Sequence, residues 1–291
     1  MRYMMLVKAT KDFEAGVWPD EKLLSEMARW TAELVKAGAR LEGGRLQPSS
    51  QGARVHYDGK FTVTDGPFAE SKELIAGFCL IQAKSLGEAI EWTRRVPFQE
   101  GEIELRPLYE LFDFPVDAAE KPDGWRDKEE QLRAAPPARK PGTIRYLGII
   151  KADKDTEAGV LPDEKSLATM GAFLEEGAKA GVFLSGEGLQ PSAKGARVRF
   201  SGSKRLVTDG PFAETKELVA GYAILQFASK AEAIEWTKRF VQVDAPGRLG
   251  AESECEIRRI FEAEDFGAEF RLELREQEAR LLADAEKRKG K

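Results

Sequence analysis

Residues 63–74, Val-Thr-Asp-Gly-Pro-Phe-Ala-Glu-Ser-Lys-Glu-Leu, return at residues 207–218 with a single change, Ser71 becoming Thr215. Outward from this pair, LQPSSQGARV (46–55) returns as LQPSAKGARV (189–198), EAIEWT (88–93) recurs unchanged at 232–237, and PDEK (19–22) recurs at 162–165. The blocks keep their order, so the chain is a tandem duplication. The offset is 143 residues up to Gly59, 144 around the TDGPF block and 152 near the end of each copy. One added residue near Ser203 and eight between Arg239 and Glu254, both in turn-like sequence, account for the drift. Each copy spans about 115 residues, the size of a domain rather than of a solenoid unit, and each is expected to fold around its own core.

This reading divides the chain into a first copy (1–114), a proline-rich linker (115–142), a second copy (143–266) and a charged amphipathic C-terminal helix (267–291). Within the first copy, residues 2–8 read as a strand. Leu23, Met27, Trp30 and Leu34 mark one face of a helix over 21–36. Strands follow at 39–46, 54–57 and 61–64, with Asp58-Gly59 turning a hairpin between the latter two. After the DGPF loop come a strand at 75–83, a helix over 85–95 capped by Ser85 with Glu88 three residues on, and a strand at 103–111. The order predicts an α+β class with two tandem ferredoxin-like domains, helices on one sheet face. Tyr3, Met5 and Val7 alternate with the equally apolar Met4 and Leu6, so the opposite sheet face also needs cover. Packing the two copies face to face, as a fused pseudo-twofold dimer, supplies it.

Composition narrows the function. With 42% hydrophobic residues the chain can build cores, and no apolar run reaches the ~18 to 20 residues of a membrane span. A net charge of −5 argues against direct nucleic-acid binding, which requires excess cation to release counterions. Two cysteines, Cys79 and Cys255, cannot make a disulfide framework, and with no signal-peptide cleavage site in the first residues a cytoplasmic location is expected.

The repeated TDGPFAE(S/T)KE, the G-(F/Y) strand after it and EAIEWT resemble the DGPF branch of the YCII-related family, across about 80% of the chain. The resemblance implies a dimeric α+β barrel. For single-domain relatives it implies a His-Asp pair and a likeness to muconolactone isomerase. The aligned positions here, Leu24 or Ser25 and Lys36, carry neither residue type. It also implies, for some members, a link to extracytoplasmic-function sigma factors.

The candidate ligand-binding residues are Asp65, Gly66, Pro67, Phe68 and Lys72 with Arg54, and their counterparts Asp209, Gly210, Pro211, Phe212 and Lys216 with Arg197. An Asp-Gly-Pro-Phe loop is equally the composition of a purely structural turn. Arg54 and Arg197 could pair with Asp65 and Asp209 or grip an anion. The single histidine, His56, matches Arg199 and is read as a dispensable strand residue; Cys79 and Cys255 read as core residues, and Trp92 and Trp236 as helix faces packed on the core. No metal site is expected, because no His/Cys cluster has zinc spacing, and no cofactor, because no GxGxxG or P-loop is present. Two classes stay open: a small-molecule binding protein or cofactor-independent enzyme with its site in the cleft between sheet and helices, and a non-enzymatic regulatory module acting through linker and tail.

Overall fold

The computed structural model describes residues 1–68, 74–110, 113–114, 138–213, 218–262 and 265. Residues 115–137 of the linker, the tail 267–291, and Lys72 and Lys216 lie outside them. The first copy contains β1 (Arg2–Lys8), α1 (Lys11–Glu14), α2 (Glu21–Lys36), β2 (Arg40–Arg45), β3 (Ala53–Tyr57), β4 (Phe61–Asp65), β5 (Ile75–Gln82), α3 (Leu86–Arg94) and β6 (Glu100–Pro107). The second repeats the order with β7 (Ile144–Lys151), α4 (Lys154–Glu157), α5 (Glu164–Lys179), β8 (Phe183–Gly188), β9 (Ala196–Ser201), β10 (Lys204–Asp209), β11 (Val219–Phe227), α6 (Lys230–Asp244) and β12 (Ser253–Arg259).

Local chemistry sets these elements as the sequence suggests. The Asp20 side chain accepts the Leu23 N–H at the start of α2, which buries Trp30 and Leu34. Ser85 caps α3 through the Glu88 N–H. The eight-residue insertion is the exception, for much of it is helical. Val241 falls four residues after the buried Thr237, so the apolar stripe of α6 runs on to Asp244 instead of ending in a turn.

Two six-stranded antiparallel sheets result, in the orders β10-β9-β6-β1-β5-β2 and β4-β3-β12-β7-β11-β8. The four strands that each copy contributes to its own sheet, β6-β1-β5-β2 and β12-β7-β11-β8, have the ferredoxin-like order. The hairpins are exchanged. The β3-β4 hairpin of the first copy pairs with β12, setting Val55 opposite Cys255, and the β9-β10 hairpin of the second pairs with β6, setting Val198 opposite Ile103. Bridges from Leu46 to Ile260 and from Leu108 to Leu189 join the ends of the two sheets.

Period-two alternation sorts β1 between two cores. Met4 and Leu6 meet Leu147, Ile149, Tyr222 and Ile224 between the sheets, which therefore face each other across one apolar layer. Tyr3 and Met5 face the helices with Trp30 and Leu34, and the layer is completed by Val198 and Phe200 of the other copy. On the far side Ala53 and Val55 complete the helix-facing layers of the second copy, Val55 beneath Val241. The expectation of a separate core for each copy is thus corrected: an edge strand with an apolar face is covered most fully by a hairpin, and the duplicated chain supplies that hairpin from the neighbouring copy.

Residues 1–114 alone carry a hairpin with no β12 to receive it and a β6 edge with no β9. Expressed alone, this segment is expected to run as a homodimer that exchanges hairpins. Light scattering after gel filtration would check this, and a native-like monomer would contradict it.

Candidate functional site

The sequence ELR on β6 and EIR on β12 places charge inside apolar strands. Glu104 and Arg106 alternate with Ile103 and Leu105, so the apolar pair faces the helices and the charges face the opposite side of the sheet. Glu104, almost wholly buried, meets Lys8 Nζ at 3.2 Å, Arg106 Nη1 at 3.2 Å and Arg197 Nη2 at 2.9 Å. Burial by itself would raise its pKa, but these three cations outweigh it and hold the carboxyl down to about 2. Arg106 also donates to the Gln190 carbonyl and to Glu157, 3.0 Å away. The second half repeats the arrangement. Glu256 meets Arg54 Nε at 2.9 Å, Arg258 Nη1 at 3.0 Å and Lys151 Nζ at 3.9 Å, and Arg258 donates to the Gln47 carbonyl. Its pKa is likewise lowered, Lys151, Arg258 and Arg54 overcoming the burial.

The repeated motifs converge on these clusters. Glu14 accepts hydrogen bonds from the Ser49 N–H and hydroxyl, while Ser49 Oγ accepts the Phe68 N–H at 3.2 Å. Glu157, Ser192 and Phe212 repeat the chain of contacts. The Phe68 ring lies 4.3 Å from the Arg54 guanidinium and Phe212 lies 4.2 Å from that of Arg197. A Cβ on Gly66 would sit 1.9 Å from the Ser49 carbonyl oxygen, and one on Gly210 equally close to that of Ser192, so only glycine lets the loop dock. The Gly66-Pro67 and Gly210-Pro211 peptides are cis.

Arg54 and Arg197 therefore pair with glutamates of the other copy and not with Asp65 and Asp209. Asp65, largely exposed, instead accepts from Lys230 Nζ at 2.7 Å, at the start of α6. His56 lies between Glu254, at 3.7 Å, and Asp58, at 4.0 Å, while its counterpart Arg199 pairs with Glu102 at 3.0 Å. Burial pushes the Cys79 thiol up to about 11 and the Cys255 thiol higher still, which makes both poor nucleophiles. Trp92 and Trp236 pack against the helix-facing cores.

The space between sheets and helices, where a cleft was expected, is filled by those cores. Two open hollows among the described residues sit on the other face of the exchanged β9-β10 hairpin. One, of about 230 Å³, is lined by Glu102, Arg197, Arg199, Leu206, Thr208, Pro211, Phe212 and Ala213. A second, of about 390 Å³, shares Arg199 and Leu206 with it and adds Ser201, Lys204 and Arg205. The hollow brings together Arg197, Pro211 and Phe212 from the sequence-derived set. Gly210 lies behind the loop against Ser192. Sequence reading missed Lys8, Glu14, Glu104, Arg106 and their counterparts Lys151, Glu157, Glu256 and Arg258. Their signal was present: like charges at matching positions of both copies, six of the eight inside otherwise apolar strands and Glu14 and Glu157 at the ends of the short helices α1 and α4.

A duplicated ferredoxin-like unit, its sheets face to face in one chain, defines a fused pseudodimeric α+β barrel. Comparison with known families agrees: the YCII-related domain matches residues 1–112 and 144–262, and the chain belongs to that family. It is also similar to an uncharacterised protein of Rhizobium meliloti (strain 1021), 37% identical over 93 residues that make up 31% of this chain and 75% of that protein. That relative is therefore about the length of one copy.

Glu104→Gln would leave Lys8, Arg106 and Arg197 without their buried counter-charge, an expected loss of about 3 to 5 kcal/mol at neutral pH. Because the folded pKa is depressed, the stabilisation is complete above the ordinary value of 4.5 and is lost as pH falls towards about 2. Denaturant titrations across that window should be flatter for the variant than for the parent. Gly66→Ala should cost about 1 to 3 kcal/mol or more through the clash with Ser49. Urea unfolding of Gly66→Ala and Gly210→Ala would measure it, and unchanged midpoints would refute the docking argument.

Proposed function

We propose that the chain is a DGPF-branch member of its family and that it binds a small molecule in the hollow beside the second DGPF loop. The observation that carries this reading is the solvent-open lining itself. Arg197, Thr208, Pro211 and Phe212 of the second copy meet Glu102 of the first around one concavity. A site made by both copies would account for a duplication held within one chain. Polar groups around an apolar floor suit recognition of a small ligand. Glu102, the carboxylate of the lining, already faces Arg199 at 3.0 Å and Arg197 at 3.7 Å. Already engaged by two guanidinium groups, it serves to hold the lining of the hollow together, which supports a binding role.

Leu206 is 62% exposed and projects into both parts of the hollow, so a larger side chain there needs no repacking of the core. Leu206→Trp is expected to keep the melting temperature within a few degrees while removing any small molecule that native mass spectrometry finds on the parent protein purified from its host. Thr62→Trp, at the equivalent position of the other hairpin, serves as the control. Retention of the bound molecule by Leu206→Trp would overturn the assignment.

A further inference from the structure

We infer that Arg45, held by the rings of Phe13, Trp18 and Phe261, anchors a binding site for a small monocarboxylate with an apolar body. This site is separate from the hollow, because β2, which Arg45 ends, is the opposite edge of the sheet from β10. Leu46 bridges Ile260, and the Phe261 N–H donates to the Arg45 carbonyl, so Arg45 and Phe261 stand side by side on the strand face opposite the core residues Leu46 and Ile260. The guanidinium carbon lies 4.7 Å from the centre of the Trp18 ring, 5.4 Å from that of Phe13 and 5.7 Å from that of Phe261, and Trp18 packs edge-to-face on Phe261 at 5.0 Å. Rings attract the charge but supply no carboxylate or carbonyl acceptor. Among the described residues Arg45 has neither a hydrogen bond nor an ion pair, and its Nε–H is buried without a partner. Arg54, Asp153, Arg258 and Arg259 also bury such an atom, but each of them belongs to an ion pair. Burial alone lowers the Arg45 pKa, with no carboxylate to oppose it. Trp18 stays 43% exposed and its neighbour Val17 more so, which opens the cage to solvent on that side.

The second copy shows the same place without the charge. Gly188 stands in place of Arg45, Leu161 in place of Trp18, Thr156 in place of Phe13 and Tyr109 in place of Phe261. The backbone contact is kept: the Tyr109 N–H donates to the Gly188 carbonyl at 3.0 Å, as the Phe261 N–H does to that of Arg45 at 2.8 Å. There the Tyr109 ring closes directly over the strand, 3.2 Å from where a Cβ on Gly188 would sit. This end of the barrel therefore forms without an arginine or a tryptophan, and the pair in the first copy is not a requirement of the fold. The desolvation cost of the half-buried Arg45 guanidinium stands unopposed, and a carboxylate gripping its N–H fork at two points offsets it. The neighbouring rings favour an apolar body on that carboxylate. A single cation returns too little to strip the hydration from a multiply charged ion such as phosphate.

Titration of the full chain with benzoate at low ionic strength, followed by ligand-observed NMR, tests this, with benzyl alcohol and inorganic phosphate as comparison probes. Saturable binding of benzoate is expected, at least about tenfold tighter than that of either comparison probe, as for hydrogen bonds to a charged group. Arg45→Gln is expected to weaken benzoate binding to a similar extent, and Trp18→Leu, which copies the second half, to weaken it less. Leu206→Trp, in the hollow, is expected to leave it unchanged. Should Arg45→Gln fold poorly, Arg45→Lys keeps the charge and its contact with the rings but not the planar fork, and is expected to weaken binding in the same direction. Unchanged binding by a folded Arg45 variant would overturn the inference, as would loss of benzoate in Leu206→Trp, which would move the carboxylate to the hollow. Phosphate binding as tightly as benzoate would overturn the ligand class. If the parent binds no benzoate while Arg45→Gln lowers the melting temperature, the inference falls and the arginine only braces the rings.

Discussion

A buried carboxylate surrounded by cations from both copies holds this molecule in its particular form. Glu104 sits on β6, and its counter-charges come from β1, from its own strand and, through Arg197, from the exchanged hairpin of the other copy. Removing that hairpin would uncover the carboxylate and strip it of one partner, besides exposing the Val198 and Phe200 side chains. Charges buried in a low-dielectric interior are tolerable only when all partners are present. The ion cluster thus specifies which hairpin pairs with which sheet, and the apolar layers supply the bulk of the driving force. Glu256 does the same for the other half.

Duplication within one chain also frees positions that a true homodimer would hold identical. Glu42 and Ser185 are equivalent residues, yet they meet across the pseudo-twofold, with Ser185 Oγ donating to Glu42 at 3.3 Å. In a symmetric dimer the same residue would face itself, and two glutamates there would repel in a site where burial already raises the Glu42 pKa. The two hairpins have diverged in the same way, one charge-balanced and one cationic, on a common backbone. The fold itself leaves both choices open.

The near-identity of the LQPS, GAR and TDGPF blocks finds its physical cause at these seams. Gly66 approaches the Ser49 carbonyl, Ser49 joins Glu14 to Phe68, and Phe68 lies against the arginine that crosses to Glu256. Each residue is constrained by several neighbours at once, so both copies have kept the same solution. Outside the seam, as on α2 and α5, the two copies need only similar volume and have drifted: Trp30 is matched by Phe173.

The sequence by itself determined the duplication, the order of elements and the ferredoxin-like class, because period-two and helical patterns and capping residues act over a few neighbours. It also showed that β1 is buried on both faces, hence that the sheets must face each other. What it left open was the ownership of the hairpins and the partner of each charge. Arg54 lies eleven residues from Asp65 and more than two hundred from Glu256, and nothing local distinguishes these acids. Only the tertiary structure could, since it puts β3 beside β12 and desolvates Glu256 there, while Asp65 stays in water with Lys230. Local propensity fixes which segments are strands; the pairing of charges is decided by which carboxylates the assembled sheets remove from solvent.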